Sequence, residues 1–150
     1  MIQKIAGEKK GNKMDKSFHY LLMANHSLLQ KKLLNGLGDT CLTLGQPKVL
    51  DYLKEHDGAS QKDIAAGCYI EAASLTSVLS RMEEKGMIER KMMNGNRRSL
   101  YVFLTDFGRE LLDRVEQEFS GIEETVFAGI TEEERNHFMN TFLKIYHNLS

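Results

Sequence analysis

The sequence contains two cysteines, one proline and no tryptophan, and these shortages exclude several classes of protein. Cys41 and Cys68 are too few for a disulfide framework, and they do not form the Cys-x-x-Cys pair of a zinc or redox site. No apolar run approaches the ~20 residues that cross a bilayer, and the N-terminus lacks the apolar region of a signal peptide. We therefore expect a cytoplasmic protein that has no membrane partner.

Sequence motifs for catalysis and metal binding are missing as well. The chain has no Gly-rich phosphate loop, no His-Glu-x-x-His and no Gly-x-Ser-x-Gly. The histidines form no His-x-x-x-His pair; they are His19, His26, His56, His137 and His147. We predict that the chain is not an enzyme and that it needs neither a metal nor another cofactor.

The charge is nearly balanced overall but unevenly distributed. The formal net charge is -1, yet residues 1–105 carry 16 Lys and Arg against 11 Asp and Glu, whereas residues 106–150 carry 4 against 10. A basic front and an acidic back would orient the molecule toward a polyanion. The alternative interpretation is uneven surface charge that only maintains solubility.

Helical periodicity with capping signals covers the first third of the chain. Apolar residues at helical spacing predict a helix from about Met14 to Gly36. A second helix is expected to begin near Thr43, because Thr43-x-x-Gln46 matches a capping box and Pro47 fits the first helical turn.

Two short helices with a Gly-containing turn between them come next. Ser60-x-x-Asp63 is a capping signature for the first, which is expected to end at Ala66 with Gly67 in the left-handed conformation. The second runs from Glu71 to Lys85, and its apolar side is formed by Leu75, Val78, Leu79 and Met82. This order predicts a helix-turn-helix.

A β-hairpin with a basic tip follows these helices. Asn94-Gly95 lies between two alternating apolar runs, and both residues accept positive φ. Arg97 and Arg98 at the tip suit the negative potential of a narrow DNA minor groove, although the alternative is that both stay solvated at an exposed turn. A helix that fits the major groove beside such a hairpin predicts a winged helix-turn-helix.

The side of the fourth helix opposite its apolar side carries small and hydroxyl-bearing residues. Such residues let the backbone approach another surface closely, although the alternative is the exposed side of an ordinary surface helix. With the hairpin tip, this side supplies the predicted DNA contacts, which are Ala72, Ala73, Thr76, Ser77, Ser80, Arg81, Lys85, Arg97 and Arg98.

Two more helices are predicted after the hairpin. Thr105 can cap the first, which has a coiled-coil type seam formed by Leu111, Val115, Phe119, Ile122 and Val126. Thr131-x-x-Glu134 opens the last helix, whose two apolar rows are Phe138, Phe142, Ile145, Leu149 and Met139, Leu143, Tyr146. Because two rows exceed one contact surface, this helix predicts a second subunit.

From Leu42 to Leu112 the chain resembles the MarR family of transcriptional regulators. The matching segments begin with Leu42-Thr43-x-x-Gln46-x-x-Val49-Leu50 and Gln61-x-Asp63-Ile64-Ala65. They continue with Leu75-Thr76-x-Val78-Leu79-x-Arg81-Met82-Glu83-x-Lys85-Gly86-Met87-Ile88, the wing motif Asn96-Arg97-Arg98, and Leu104-Thr105-x-x-Gly108-Arg109-Glu110-Leu111-Leu112. Helical tails of similar length extend the resemblance to nearly the whole chain.

The resemblance implies a homodimer that binds double-stranded DNA at a pseudopalindromic operator. The first and last two helices of the two subunits would interlock, and the second Arg of the wing motif, here Arg98, would enter the minor groove. This chain departs from the family at Asn96, where the family usually has Asp, and at Ser77, where it usually has a basic residue. Fewer cationic contacts imply weaker or more selective binding.

The resemblance also implies a small aromatic or lipophilic effector between the dimerisation helices and the winged lobe. The candidate contacts are Phe18, His19, Leu22, Met23 and His26; such residues at helical spacing are also typical of an ordinary core. Oxidation of Cys68 is an alternative trigger, because a nearby helix N-terminus can lower the pKa of a thiol. The peroxide-sensing branch of the family, however, places its thiol in the first helix.

We predict a mainly α protein with a small β-wing (α+β), in which residues 1–13 are a flexible basic lead-in. Residues 14–36 and 106–150 form the helical dimerisation region, and residues 37–105 form the winged helix-turn-helix DNA-binding domain. The predicted function is transcriptional regulation, as a repressor released by a small-molecule effector. The alternative is a winged-helix dimer that binds a protein or ligand without DNA.

Overall fold

The fold was obtained as a computed structural model that describes residues 16–93, 95 and 99–150. Within these residues the chain forms six helices and a two-stranded antiparallel sheet, so the predicted mainly α fold with a β-wing is confirmed. In order, the elements are α1 (Phe18–Gly36), α2 (Gln46–Glu55), α3 (Gln61–Cys68), α4 (Ala72–Glu84), β1 (Ile88–Met92), β2 (Leu100–Leu104), α5 (Asp106–Val126) and α6 (Glu132–Leu149). The predicted lead-in and the predicted start at Met14 lie outside the described residues.

The hydrophobic core lies where α2, α3, α4 and the base of the hairpin meet. Its fully buried side chains include Leu37, Val49, Leu50, Leu53, Ile64, Leu75, Leu79, Met82, Met87, Ile88 and Val102. The long helix α5 packs along α2 and also contacts α1 and β2. Burial of apolar side chains at this junction therefore fixes α4 and the hairpin in one lobe.

Three of the predicted helix caps are confirmed. The Ser60 hydroxyl accepts a hydrogen bond from the Asp63 backbone N–H at 3.1 Å. The Thr105 hydroxyl accepts one from Gly108 N–H at 3.0 Å, and the Thr131 hydroxyl accepts one from Glu134 N–H at 3.2 Å. Each cap satisfies an N-terminal amide that has no partner inside its own helix, which explains why the helices begin at these residues.

The prediction that α2 begins near Thr43 is wrong by three residues. The helix begins at Gln46, after Gly45 in the left-handed conformation (φ 86°), and no side chain caps it. Only the glutamine half of the predicted capping box forms, since Gln46 Oε1 accepts a hydrogen bond from Thr43 N–H at 3.0 Å. Pro47 occupies the first turn as predicted, where its missing N–H costs least.

The predicted role of Gly67 is also wrong. Helix α3 continues through Gly67 and Cys68, and Tyr69 takes the left-handed conformation instead (φ 53°). A Cβ on Gly67 would overlap the ring of Tyr52 from α2. Glycine is therefore needed here because α2 and α3 approach closely, and not because the backbone must turn.

Helices α1 and α6 leave most of their apolar side chains exposed in a single subunit. Helix α6 has no buried residue, and Leu33 is the buried residue of α1. The exposed apolar surface, here called the open helical surface, consists of Phe18, Tyr20, Leu22, Met23, Leu28, Leu29, Phe138, Met139, Phe142, Leu143, Tyr146 and Leu149. Large apolar side chains exposed in such number are typical of an interaction site.

A pair of tyrosines connects α6 to the helix-turn-helix. The hydroxyl groups of Tyr69, at the end of α3, and Tyr146, near the end of α6, lie 2.6 Å apart and form a hydrogen bond. This bond raises the pKa of the Tyr69 hydroxyl above its usual value. The long last helix and the core lobe therefore meet at the left-handed residue that ends α3.

Candidate nucleic-acid interface

Helix α4 is held in the lobe by one buried side, which leaves the opposite side exposed. Leu75, Leu79 and Met82 are buried, and Val78 packs against the same core. Glu71 precedes the helix, and Gly86 follows its C-cap. The φ of Gly86 is positive (79°), a backbone conformation that is strained for residues with a side chain. The predicted apolar side is therefore the side that anchors this helix.

The exposed side of α4 contains most of the residues predicted to contact DNA. Ala72, Ala73, Thr76, Ser77 and Arg81 are exposed and are called the recognition face below. The Thr76 hydroxyl donates to the Ala72 carbonyl at 3.1 Å, so its hydrogen is already used within the helix. Arg81 makes no ion pair within the described part of the chain. It is the basic residue within the bounds of α4, since Lys85 is the C-cap.

Two further predicted DNA contacts have partners within the subunit. Lys85 Nζ donates to the Cys41 carbonyl oxygen at 2.7 Å, which holds the ammonium group beside the loop before α2. Ser80 is half-buried, and its hydroxyl accepts a hydrogen bond from Arg90 at 3.4 Å. These two side chains are thus less available to a ligand than the recognition face.

The hairpin has a regular register from its base outward. Ile88 pairs with Leu104, Arg90 with Val102, and Met92 with Leu100. Asp57 fixes the base, because its Oδ1 accepts from Leu104 N–H at 2.8 Å while Oδ2 accepts from Arg109 at 2.9 Å. The predicted contacts Arg97 and Arg98, with Asn96, lie outside the described residues.

Arg90 is a structural feature that the sequence reasoning missed. It lies on β1 but faces inward with Ile88, and its side chain is only 17% exposed. Glu83 of α4 forms an ion pair with it at 3.1 Å. Side chains of a strand point alternately to the two faces of the sheet. Arg90, two positions after the buried Ile88, could therefore have been predicted to lie on the same face.

The candidate effector residues lie together on the first half of α1. Phe18, His19, Leu22, Met23 and His26 are all exposed in one subunit, with Met23 the most exposed of the apolar ones at 67%. They belong to, or border, the open helical surface.

The surroundings of Cys68 bear on its predicted role as a redox trigger. Cys68 is buried, burial raises the pKa of its thiol, and its Sγ lies 3.7 Å from the Lys48 carbonyl oxygen. A raised pKa lowers the thiolate fraction, which disfavours peroxide chemistry at Cys68.

Among the described residues, no three His, Cys, Asp or Glu side chains are grouped so that they could hold a metal ion. No helix in the same part of the chain has the length and apolar character of a membrane span.

Comparisons with known proteins agree with this geometry. The model of the MarR family matches residues 42–100. The chain is 36% identical over 78 residues to the HTH-type transcriptional regulator PecS of Dickeya dadantii (strain 3937), covering 52% of this chain and 47% of PecS. It is 27% identical over 114 residues to the uncharacterized HTH-type transcriptional regulator YdgJ of Bacillus subtilis (strain 168), covering 75% of this chain and 70% of YdgJ.

Structural comparison extends the likeness beyond the matched segment. The crystal structure of the S. aureus MepR–DNA complex is similar with a TM-score of 0.83 and 25% sequence identity, over 91% of this chain and 100% of that one. The likeness therefore includes the helices on both sides of the winged lobe. Residues 42–100 are thus similar to the MarR family, and the chain as a whole has the fold of a DNA-binding transcriptional regulator of this kind.

Proposed function

We propose that this regulator represses transcription by binding a pseudopalindromic operator as a homodimer. The recognition face and the hairpin lie on one lobe and are joined through only three residues, Lys85, Gly86 and Met87. That juxtaposition carries the proposal, because a major groove and its neighbouring minor groove can be contacted together. The two copies of α4 would lie roughly 34 Å apart, one turn of the double helix.

The open helical surface supports the dimer. Its apolar side chains come from both ends of the chain, on α1 and α6, and one subunit does not bury them. A second copy would cover both helices at once, because a two-fold axis brings the same patch of each subunit together. The same axis gives the operator its symmetry.

Removing the wing arginine tests the DNA contact. We expect Arg98→Ala to weaken operator binding by about 1 to 3 kcal/mol and to reduce the slope of log affinity against log salt by about 1. Fluorescence anisotropy with a labelled operator, selected from random duplexes and titrated at several salt concentrations, measures both quantities. The thermal unfolding midpoint should stay unchanged.

Lys144→Ala provides the control for Arg98→Ala. Lys144 is a cation on the acidic last helix and is exposed, so its loss should leave affinity and salt slope as in the wild type. Equal affinities of Arg98→Ala and wild-type protein at physiological salt would remove the wing from the mechanism. Binding that does not weaken with salt would remove DNA contact through phosphates altogether.

A small aromatic or lipophilic acid is the proposed effector, with Phe18, His19, Leu22, Met23 and His26 as its α1 contacts. The proposal rests on the family and on the clustering of these exposed side chains on one half of α1. At about a hundred times its dissociation constant, such a ligand adds about 2.7 kcal/mol of stability. We expect hydroxylated benzoic acids to raise the unfolding midpoint and to release the operator, with acetate as the control. No change in either quantity across the panel would contradict this proposal.

A protein-binding role without DNA is the second candidate. Lys85 is engaged by the Cys41 carbonyl, which leaves Arg81 as the cation nearest the centre of the recognition face. A face with so few cations favours weak or selective DNA contact. The salt titration above separates the two roles, since an apolar protein contact lacks the steep dependence that counterion release gives.

A further inference from the structure

Glu83 binds Arg90 at two separate places. Its Oε2 accepts a hydrogen bond from the backbone N–H of Arg90 at 2.9 Å, and its Oε1 accepts one from the guanidinium Nη2 at 3.1 Å. One carboxylate on α4, called the recognition helix below, therefore fixes both the main chain and the side chain of a single wing residue. Charge-assisted bonds of this kind are stronger than neutral ones, and the same contact lowers the pKa of the Glu83 carboxyl.

The guanidinium of Arg90 also reaches two other groups. Nη2 lies 3.4 Å from the Ser80 hydroxyl, and Nη1 lies 3.4 Å from Oε1 of Gln61, the first residue of α3. Three elements, α3, α4 and β1, therefore meet at one side chain. A planar guanidinium suits such a junction because its donors point in fixed directions.

Within the described part of β1, Arg90 is the outermost residue whose side chain is hydrogen-bonded to α4. Ile88 is buried at the base of the strand, whereas Lys91, Met92 and Met93 beyond Arg90 are all exposed. Arg90 therefore links β1 to α4, whereas β2 is held separately by the bridge between Tyr101 and Ser60. Loss of the Arg90 contacts would release β1 from α4 while leaving the bridge on β2 in place.

We propose that Glu83 and Arg90 are a positioning pair that sets the angle of the wing relative to the recognition helix. The proposal rests on the proposed function, in which wing and helix contact adjacent grooves of one duplex. Neither residue touches DNA in this role. The pair makes the major-groove and minor-groove contacts compatible with each other, so the wing contributes to affinity only while the pair is intact.

Glu83→Ala gives a test in which charge and positioning predict opposite signs. Removal of a carboxylate near DNA should tighten binding if charge alone matters, because repulsion of the phosphates falls. Loss of positioning should instead weaken operator binding, by roughly fivefold to tenfold for a directly coupled pair. Glu84→Ala is the matched control, since Glu84 is the exposed neighbour on the same helix and forms no ion pair within the described residues. Its affinity should equal that of the wild type or exceed it slightly.

A double-mutant cycle with the wing arginine completes the test. If Glu83 acts through the wing, its loss should matter little in a protein that already lacks the wing arginine. Glu83→Ala should then weaken binding less than roughly twofold in the Arg98→Ala background, which is about the error within which independent effects add. It should still weaken binding by its full factor when combined with Arg81→Ala on the recognition face. Unchanged or tighter binding by Glu83→Ala, or full additivity with Arg98→Ala, would overturn the proposal.

Two further observations keep the result interpretable. If Glu83→Ala does not fold, Glu83→Gln replaces it; the amide keeps an oxygen acceptor for the Arg90 N–H but loses the ion pair, so binding should weaken by a smaller factor, and unchanged or tighter binding would again overturn the proposal. A wild-type protein without salt-dependent operator binding contradicts the proposed function itself. The positioning pair alone is contradicted if the wild type binds the operator normally and Arg98→Ala weakens binding, but the effects of Glu83→Ala and Arg98→Ala are additive.

Discussion

Replacing Phe142 with Asp is expected to convert the protein into a folded monomer that no longer binds its operator tightly. Phe142 belongs to the open helical surface and stacks on Phe138 with ring centroids 5.3 Å apart. Phe142 is 38% exposed in one subunit, so covering the rest of its ring contributes about 1 kcal/mol. An unpaired carboxylate in its place costs about 1 to 3 kcal/mol or more to bury, and two-fold symmetry counts both terms twice. The dimer dissociation constant should therefore rise by roughly a thousandfold or more, since ~1.4 kcal/mol is tenfold. Sedimentation equilibrium measures this constant directly.

Asn140→Asp is the matched control for this prediction. It places the same charge on the same helix at an exposed polar position. This variant should remain dimeric and should bind the operator as the wild type does. A Phe142→Asp protein that stays dimeric at low micromolar concentration would show that another surface joins the subunits. Helical circular dichroism should be retained in both variants, because Phe142 is not buried within one subunit.

Gly108→Ala is expected to cause the largest loss of stability among single methyl additions. A Cβ at this position would overlap the backbone carbonyl oxygen of Met87, which already accepts a hydrogen bond from Thr105 N–H at 3.1 Å. A backbone atom cannot rotate aside, so the start of α5 or the base of β1 must shift. Overpacking of this kind costs about 3 kcal/mol, which corresponds to a fall of roughly 10 °C in the unfolding midpoint.

Gly121→Ala provides the opposite expectation within the same helix. A Cβ at Gly121 meets nothing within 4 Å in one subunit. Alanine in a helix interior is about 0.5 to 1 kcal/mol better than glycine, so the midpoint should rise slightly. Equal stabilities of the Gly108→Ala and Gly121→Ala proteins, measured by thermal unfolding, would contradict the close approach of α5 to Met87.

Features that depend on neighbouring residues could be predicted from the sequence. The caps at Ser60, Thr105 and Thr131 were correct because a hydroxyl can reach an amide three residues on in any helix start, although the same spacing at Thr43 gave no cap, since α2 begins at Gln46. The hairpin and the buried side of α4 followed from periodicity in the same way. The family resemblance included Gly108. The reason for a glycine at this position is the nearby backbone carbonyl of Met87, which lies 21 positions away in the sequence.

Features that depend on distant residues could not be predicted. Gly67 was expected to end α3, whereas its neighbour in space is Tyr52 of another helix. Lys85 is predicted to contact DNA, and its hydrogen bond to the Cys41 carbonyl, between residues 44 positions apart, could not be seen in the sequence. In each case one local pattern allowed two outcomes, and the packing of helices decided between them. The DNA contacts of the recognition face and of Arg98 remain predictions.

The hydrogen bond between Tyr69 and Tyr146 constrains how the protein can change shape. Its two oxygens are 2.6 Å apart, so a displacement of α6 by even one residue along its axis, about 1.5 Å, must either break the bond or pull the corner after α3 with it. That corner directly precedes α4. A displacement of α6 that keeps the bond is thus transmitted to the segment at the start of α4.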